Sequence, residues 1–286
     1  MARRGSVALS AVATGGLLAL LPHLLGPVDQ PRRTFVALRY LALAREELQA
    51  RPVNRCAAAR DIKRALALAP QDSLIASSAG GILVQAEDYE AAVEILLRRN
   101  LTSPEDTITL AHALLMVGRD NEGSALILST VESAHQAYRA REIPRLAYAL
   151  LLNNAAYALT EGDRDVMAAR SLADLAVRVA PLEPAFCDTL GWALFKLRET
   201  DRATFYLERA ARQTMARPDP VVLYHLGRAY GSQNRRSEAR RFLVWSLALD
   251  PGREDALRAL RHLYRVLPAP SYAAAPRRDD RPTCSG

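Results

Sequence analysis

Apolar residues recur along this chain at helical spacing, and the recurrence itself repeats. Leu190-Gly191-Trp192-Ala193-Leu194 is followed by Ala203, Leu207 and Ala210. Leu226-Gly227-Arg228-Ala229-Tyr230 is followed by Ala239, Leu243, Ser246 and Pro251. Upstream, Ala155-Ala156-Tyr157-Ala158-Leu159 is followed by Ala169, Ala173, Ala176 and Pro181. The starts at 155, 190 and 226 lie 35 and 36 residues apart. A period of this length, with small residues at fixed offsets, predicts helical hairpins that bury their apolar faces only by stacking on their neighbours. Small residues (Gly191, Gly227, Ala203, Ala239) belong where two helices approach closely, and Leu190, Leu207, Leu226 and Leu243 fill the space between them. Pro181 and Pro251 end the second helix of their units, since proline offers no N–H to a helix.

The period exposes further units. Ala79-Gly80 leads to Leu83, Ala92, Leu96 and Pro104, with Asp88-Tyr89 at the turn, and Leu110-Ala111 leads to Leu114, Gly118, Gly123, Ile127 and Thr130. A degenerate first unit consists of helices at 34–51 and 54–69 around Pro52, closed by Pro70, with Ala58, Ile62 and Ala65 at the second-helix spacing. About six repeats therefore occupy residues 34–251, and residues 253–267 read as a capping helix, which a solenoid needs at its end. Between the third and fourth units two helices, 121–142 and 145–161, are longer than the rest. They mark either a lengthened hairpin or a joint between two sets of repeats, 34–142 and 143–267. No period-two strand pattern appears, so the class is all-α.

These repeats resemble the tetratricopeptide repeat family over about three quarters of the chain, most specifically in the last three units. The resemblance implies a right-handed α-solenoid whose first helices line a concave groove that holds a protein or peptide. Carried over residue by residue, it implies groove positions at Ser77, His112, Asn153, Tyr157, Asp188, Trp192, Phe195, Lys196, Tyr224 and Arg228. In that setting Trp192, Phe195, Tyr157 and Tyr224 offer apolar anchors. Asn153 can bond both backbone groups of an extended peptide, and Lys196 and Arg228 can meet a carboxylate. The alternative for the aromatics is that they pack between helices. The two-carboxylate clamp of chaperone-binding members is not matched, because the Lys and Asn positions it needs hold other residues.

The first 33 residues are of another kind. Residues 5–28 carry no charge, Arg3 and Arg4 precede them, and Ala, Leu and Val dominate 7–25. A run near 20 residues can span a bilayer core of about 30 Å, and after Leu21 no small-x-small pattern marks a cleavage site. The reading is a single-pass signal anchor with the repeats outside the cytoplasmic membrane, in the periplasm where there is one. No cysteine follows the apolar run to carry a lipid.

Charge divides the chain further. The net +7 is distributed as +3 over 1–33, −4 over 34–201 and +8 over 202–286. Of 38 basic residues only Lys63 and Lys196 are lysine, which codon bias in a GC-rich genome explains. The basic C-terminal pole (Arg235, Arg236, Arg240, Arg241) supports a second reading, contact with nucleic acid or another polyanion. The lack of interleaved aromatics or a reading motif argues against nucleic acid. Residues 268–286 are rich in Pro and Arg and lack apolar surface to fold.

No catalytic motif is visible: there is no HExxH, no GxSxG and no phosphate-binding glycine loop. The five histidines have no metal-ligand spacing. Gly80-Gly81 is attributed to packing. Cys56 and Cys187 read as small buried apolar residues, and Cys284 as a free thiol in the tail. The expectation is a non-enzymatic interaction scaffold without cofactor or metal, which helps assemble an envelope complex.

Overall fold

The computed structural model describes residues 30–50, 54–98 and 103–263. Among them are thirteen helices and no strand. They are α1 (Gln30–Gln49), α2 (Arg55–Leu68), α3 (Ser73–Gln85), α4 (Tyr89–Leu97), α5 (Pro104–Met116), α6 (Asp120–Arg139), α7 (Arg145–Glu161), α8 (Val166–Val179), α9 (Pro184–Lys196), α10 (Thr200–Gln213), α11 (Pro220–Ser232), α12 (Arg236–Leu249) and α13 (Glu254–Leu263). The first twelve form six antiparallel hairpins, and α13 packs on α12 and α11 at the end.

Local chemistry sets the helix ends. Asn54, Asp72, Asp88, Ser103 and Asp219 each accept a backbone N–H from the first turn that follows, an N-cap of the ordinary kind. Proline opens α5, α9 and α11, where its missing N–H is no loss. Within five hairpins the chain leaves the first helix through a left-handed residue, Glu87, Gly118, Asp163, Arg198 or Asn234, and in the α7–α8 turn Asp165 is left-handed as well. In each, the next N–H returns to a carbonyl one turn back, as from Glu199 to Leu194 and from Arg119 to Leu114. This is the Schellman arrangement, and its recurrence at 163, 198 and 234 follows the sequence period.

Close helix approach explains the glycines. A Cβ placed on Gly191 would meet Leu207 Cγ at 2.7 Å, and one on Gly227 would meet Leu243 Cγ at 2.8 Å. In the α5–α6 hairpin the small residue changes helix. Ala111 stands in place of glycine, and a Cβ on Gly123 of α6 would lie 2.8 Å from the Ala111 carbonyl.

Every first helix touches the first helix of the next hairpin, whereas second helices of successive hairpins do not touch. A stack held in this way curves with α1, α3, α5, α7, α9 and α11 inside. The apolar core runs continuously through it. One cluster joins α1 to α5, and another joins α5 to α12. Helix α5 serves both, with Leu110, Ala113 and Leu114 in the first and Ile108, Ala111 and Leu115 in the second. The extra length of α6 and α7 is filled by Tyr138 stacked on Tyr148 at 4.4 Å, with His135 Nδ1 2.8 Å from the Tyr148 hydroxyl.

Among the described residues no helix is long and apolar enough to cross a membrane. The run at 7–25 and the tail at 268–286 lie outside those residues. Cys187 is a buried free thiol. Cys56 departs from the expectation for it in being half-buried, and Cys284 lies outside the described residues.

Candidate functional site: the concave face

The inner surface is built by side chains of α5, α7, α9 and α11. On α5, His112 is packed between rings, 5.8 Å from Tyr89 and edge-on to Tyr157 at 5.5 Å. Burial without a partner holds its pKa down at about 4. On α7, Tyr157 is 41 % exposed, yet its hydroxyl is so enclosed by protein, with Glu161, Tyr89 and Asp188 nearby, that its pKa is raised. Water access combined with dense protein surroundings is what the floor of a concave surface provides. Asn153, one turn earlier, is 7 % exposed.

On α9, Asp188 accepts from His225 Nδ1 of α11, at 2.9 and 3.0 Å to its two oxygens. A carboxylate on Nδ1 fixes the proton there and leaves Nε2 as an acceptor in the neutral ring. The His225 ring lies stacked on Trp192 at 4.1 Å, and Phe195 covers the same indole at 4.9 Å. Lys196 donates to the Thr160 carbonyl and to Asp163, which ties α9 back to α7. On α11, Arg228 donates to the Tyr224 hydroxyl at 2.8 Å. Its guanidinium lies 5.4 to 5.9 Å from the centroids of Phe195, Tyr224 and Trp192.

Three buried polar atoms on successive first helices have no hydrogen-bond partner: His112 Nε2, Asn153 Oδ1 and Trp192 Nε1. Native structures pair the great majority of such atoms, so each exception needs a reason.

The ten positions expected from the sequence thus fall on inner helices, and the structure sorts them. His112 meets Tyr157, and Trp192, Phe195, Tyr224 and Arg228 form one aromatic–guanidinium cluster. Asp188 is engaged by His225. Ser77 stands apart, donating to Asp106 between α3 and α5. Trp192 and Tyr224 are not open anchors. Both are buried and join Leu243 and Ala256 in a third apolar cluster, against which Leu260 and Leu263 of α13 pack. Lys196 is already occupied by Asp163. The groove positions expected from the sequence do not include Tyr89, His225 or Arg253, whose roles come from contacts across hairpins. Gly81 is also different from its neighbour: a Cβ there would meet nothing within 4 Å, so it faces open space, whereas a Cβ on Gly80 would lie 2.6 Å from Leu96. At the basic pole Arg235 pairs with Glu238 and Arg241 lies over Phe242.

Solved structures share this architecture. A tetratricopeptide repeat protein from Parabacteroides merdae superposes with a TM-score of 0.62 at 14% identity, over 88% of this chain and 91% of that one. TTC0263, a TPR protein of Thermus thermophilus, superposes with a TM-score of 0.51 at 23% identity, over 67% and 98% of the two chains. The fold is a tetratricopeptide-repeat solenoid. A chain of the APC/C hetero-tetramer Cut9–Hcn1 matches with a TM-score of 0.52 at 14% identity, over 80% of this chain and 46% of its own. No protein-family model matches the chain, and a search of curated proteins returns no match. Among the described residues no group of His, Cys, Asp and Glu is placed to hold a metal ion.

Proposed function

We propose that this tetratricopeptide-repeat chain is a non-catalytic scaffold that grips an extended segment of a partner protein on its concave face. The row of unpaired polar atoms at His112, Asn153 and Trp192 carries this reading. Each unpaired buried group costs about 1–3 kcal/mol, and three on consecutive inner helices are relieved together by a ligand lying along the row. All three atoms are buried, so a ligand engages them only as the side chains that cover them move aside, Tyr157 among them at His112. An extended backbone offers alternating donors and acceptors along its length.

We further propose that residues 1–33 hold the scaffold to a membrane, with the repeats on the extracytoplasmic side, where it helps assemble an envelope complex. The uncharged run at 5–28 behind Arg3 and Arg4 supports the anchor.

A crosslinking pull-down from membranes tests both parts, comparing the native chain with Asn153→Ala/Tyr157→Ala. Envelope proteins lost in the double variant support the reading. An unchanged set of partners removes the groove, and recovery of nucleic acid or cytoplasmic proteins removes the topology. Trp192→Ala is a poor probe here. Its ring is core for α13, so truncation costs about 3–5 kcal/mol of stability before binding is measured.

A further inference from the structure

The groove is not chemically uniform along its length. At its α11 end, hydrogen-bond donors outnumber acceptors around one pair of rings. Arg228 is half-buried and donates one N–H to the Tyr224 hydroxyl. Among the described residues it has no carboxylate within ion-pair distance. Trp192 Nε1 has no partner, and Arg253, whose guanidinium lies 6.0 Å from the Tyr224 ring, has an unpartnered Nε. The nearby carboxylates are engaged elsewhere: Asp188 with His225, Asp250 with Arg253, and Asp255 with Arg258.

A guanidinium held against three aromatic faces has its position fixed by packing, so little rotamer freedom remains to be lost when an anion arrives. Its planar fork matches a carboxylate in two-point geometry. Lys196, the other cation of this end, is occupied by Asp163 and the Thr160 carbonyl. It therefore leaves Arg228 as the group able to read charge in a ligand.

The geometry points to Arg228 as the specificity residue of the groove, taking an acidic side chain, Asp or Glu, carried within the partner's extended segment. This rests on the peptide-binding reading above and adds the chemistry of one ligand residue. The ligand's apolar neighbours of that residue would lie against Phe195 and Tyr157, the half-buried and exposed rings of the row.

The test uses the detergent-solubilised full chain, immobilised, and pools of short biotinylated peptides with amidated C-termini. In each pool one position is fixed as Glu or as Gln and the others are randomised. The expected result is a Glu-over-Gln retention ratio of about tenfold at one or two positions, the size of a single charge-assisted contact. The ratio falls to about one in Arg228→Gln and is partly kept in Arg228→Lys, both compared at a temperature where circular dichroism shows them folded. Equal retention of Glu and Gln pools by the native chain overturns the inference and leaves the groove standing. So does a ratio that survives Arg228→Gln. Preference only for free C-terminal carboxylates, or displacement by inorganic phosphate without Glu preference, shows an anion site of another kind and also overturns it. Retention of no pool overturns the groove reading together with it.

Discussion

Gly80 and Gly81 are adjacent in the sequence and in the same helix, and the structure predicts opposite responses to one added methyl group. In a helix interior Gly→Ala gains about 1 kcal/mol of intrinsic propensity at either position. At Gly81 nothing lies within 4 Å of the new Cβ, so Gly81→Ala stabilises by about that amount. At Gly80 the Cβ would lie 2.6, 2.7 and 2.9 Å from Leu96 Cδ2, Cγ and Cδ1, whereas carbon contacts favour about 3.5–4.0 Å. Leu96 is fully buried, so relief requires α4 to shift by about 1 Å. Overpacking of this kind costs about 1–3 kcal/mol. Because the propensity gain is common to both variants, their difference isolates the steric cost of the α3–α4 approach. Urea unfolding followed by helical circular dichroism gives the two midpoints. Hydrogen exchange in α3 and α4 checks the ordering locally, since repeat arrays need not unfold as one unit. Gly80→Ala falls below the native chain or level with it, and Gly81→Ala rises above it. Equal midpoints for the two variants would refute the packing argument.

Two further predictions follow from the same structure. His112 is buried with its pKa at about 4 against an unfolded value of 6.5. The unfolded chain therefore binds the proton first as pH falls. Stability is lost from about pH 6.5 down to about 4, by roughly 3 kcal/mol in all. His112→Phe, which keeps a ring between Tyr89 and Tyr157, flattens the stability curve over that window, and an unchanged curve would contradict the assignment. Arg198 turns the α9–α10 hairpin at φ 64°. Arg198→Gly should stabilise by about 0.5 kcal/mol and Arg198→Val should destabilise by about 1 kcal/mol in thermal melts, whereas equal effects would mean that the turn is not strained.

The hairpins were legible because their period is written in small residues. Gly191 with Leu207 and Gly227 with Leu243 are contacts within a hairpin, at fixed offsets, and a linear pattern carries them. The long helices α6 and α7 were legible for the same reason: apolar spacing continues through Tyr138 to Pro144 and resumes at Arg145. The groove was legible only in register. Helical spacing places Trp192 and Tyr224 on the inner face, but it does not show that α13 lays Leu260 and Leu263 against them and turns two apparent anchors into core. The pairing of His225 with Asp188 joins residues 37 positions apart, which depends on how tightly successive hairpins stack. Gly81 shows the converse limit: a glycine beside a packing glycine looks like packing until its surroundings are known.

Whether the partner lies on the inner surface is decided by a photo-crosslinking residue placed at single positions of the chain in its own cells. Tyr157 is 41 % exposed on the concave face, and Phe205 is 57 % exposed on α10, an outer helix. Comparable exposure with opposite placement makes the pair a matched comparison. A partner on the inner surface gives a discrete protein adduct from position 157 and none from position 205. An adduct from 205 alone would place the partner on the outer surface and rule out the groove.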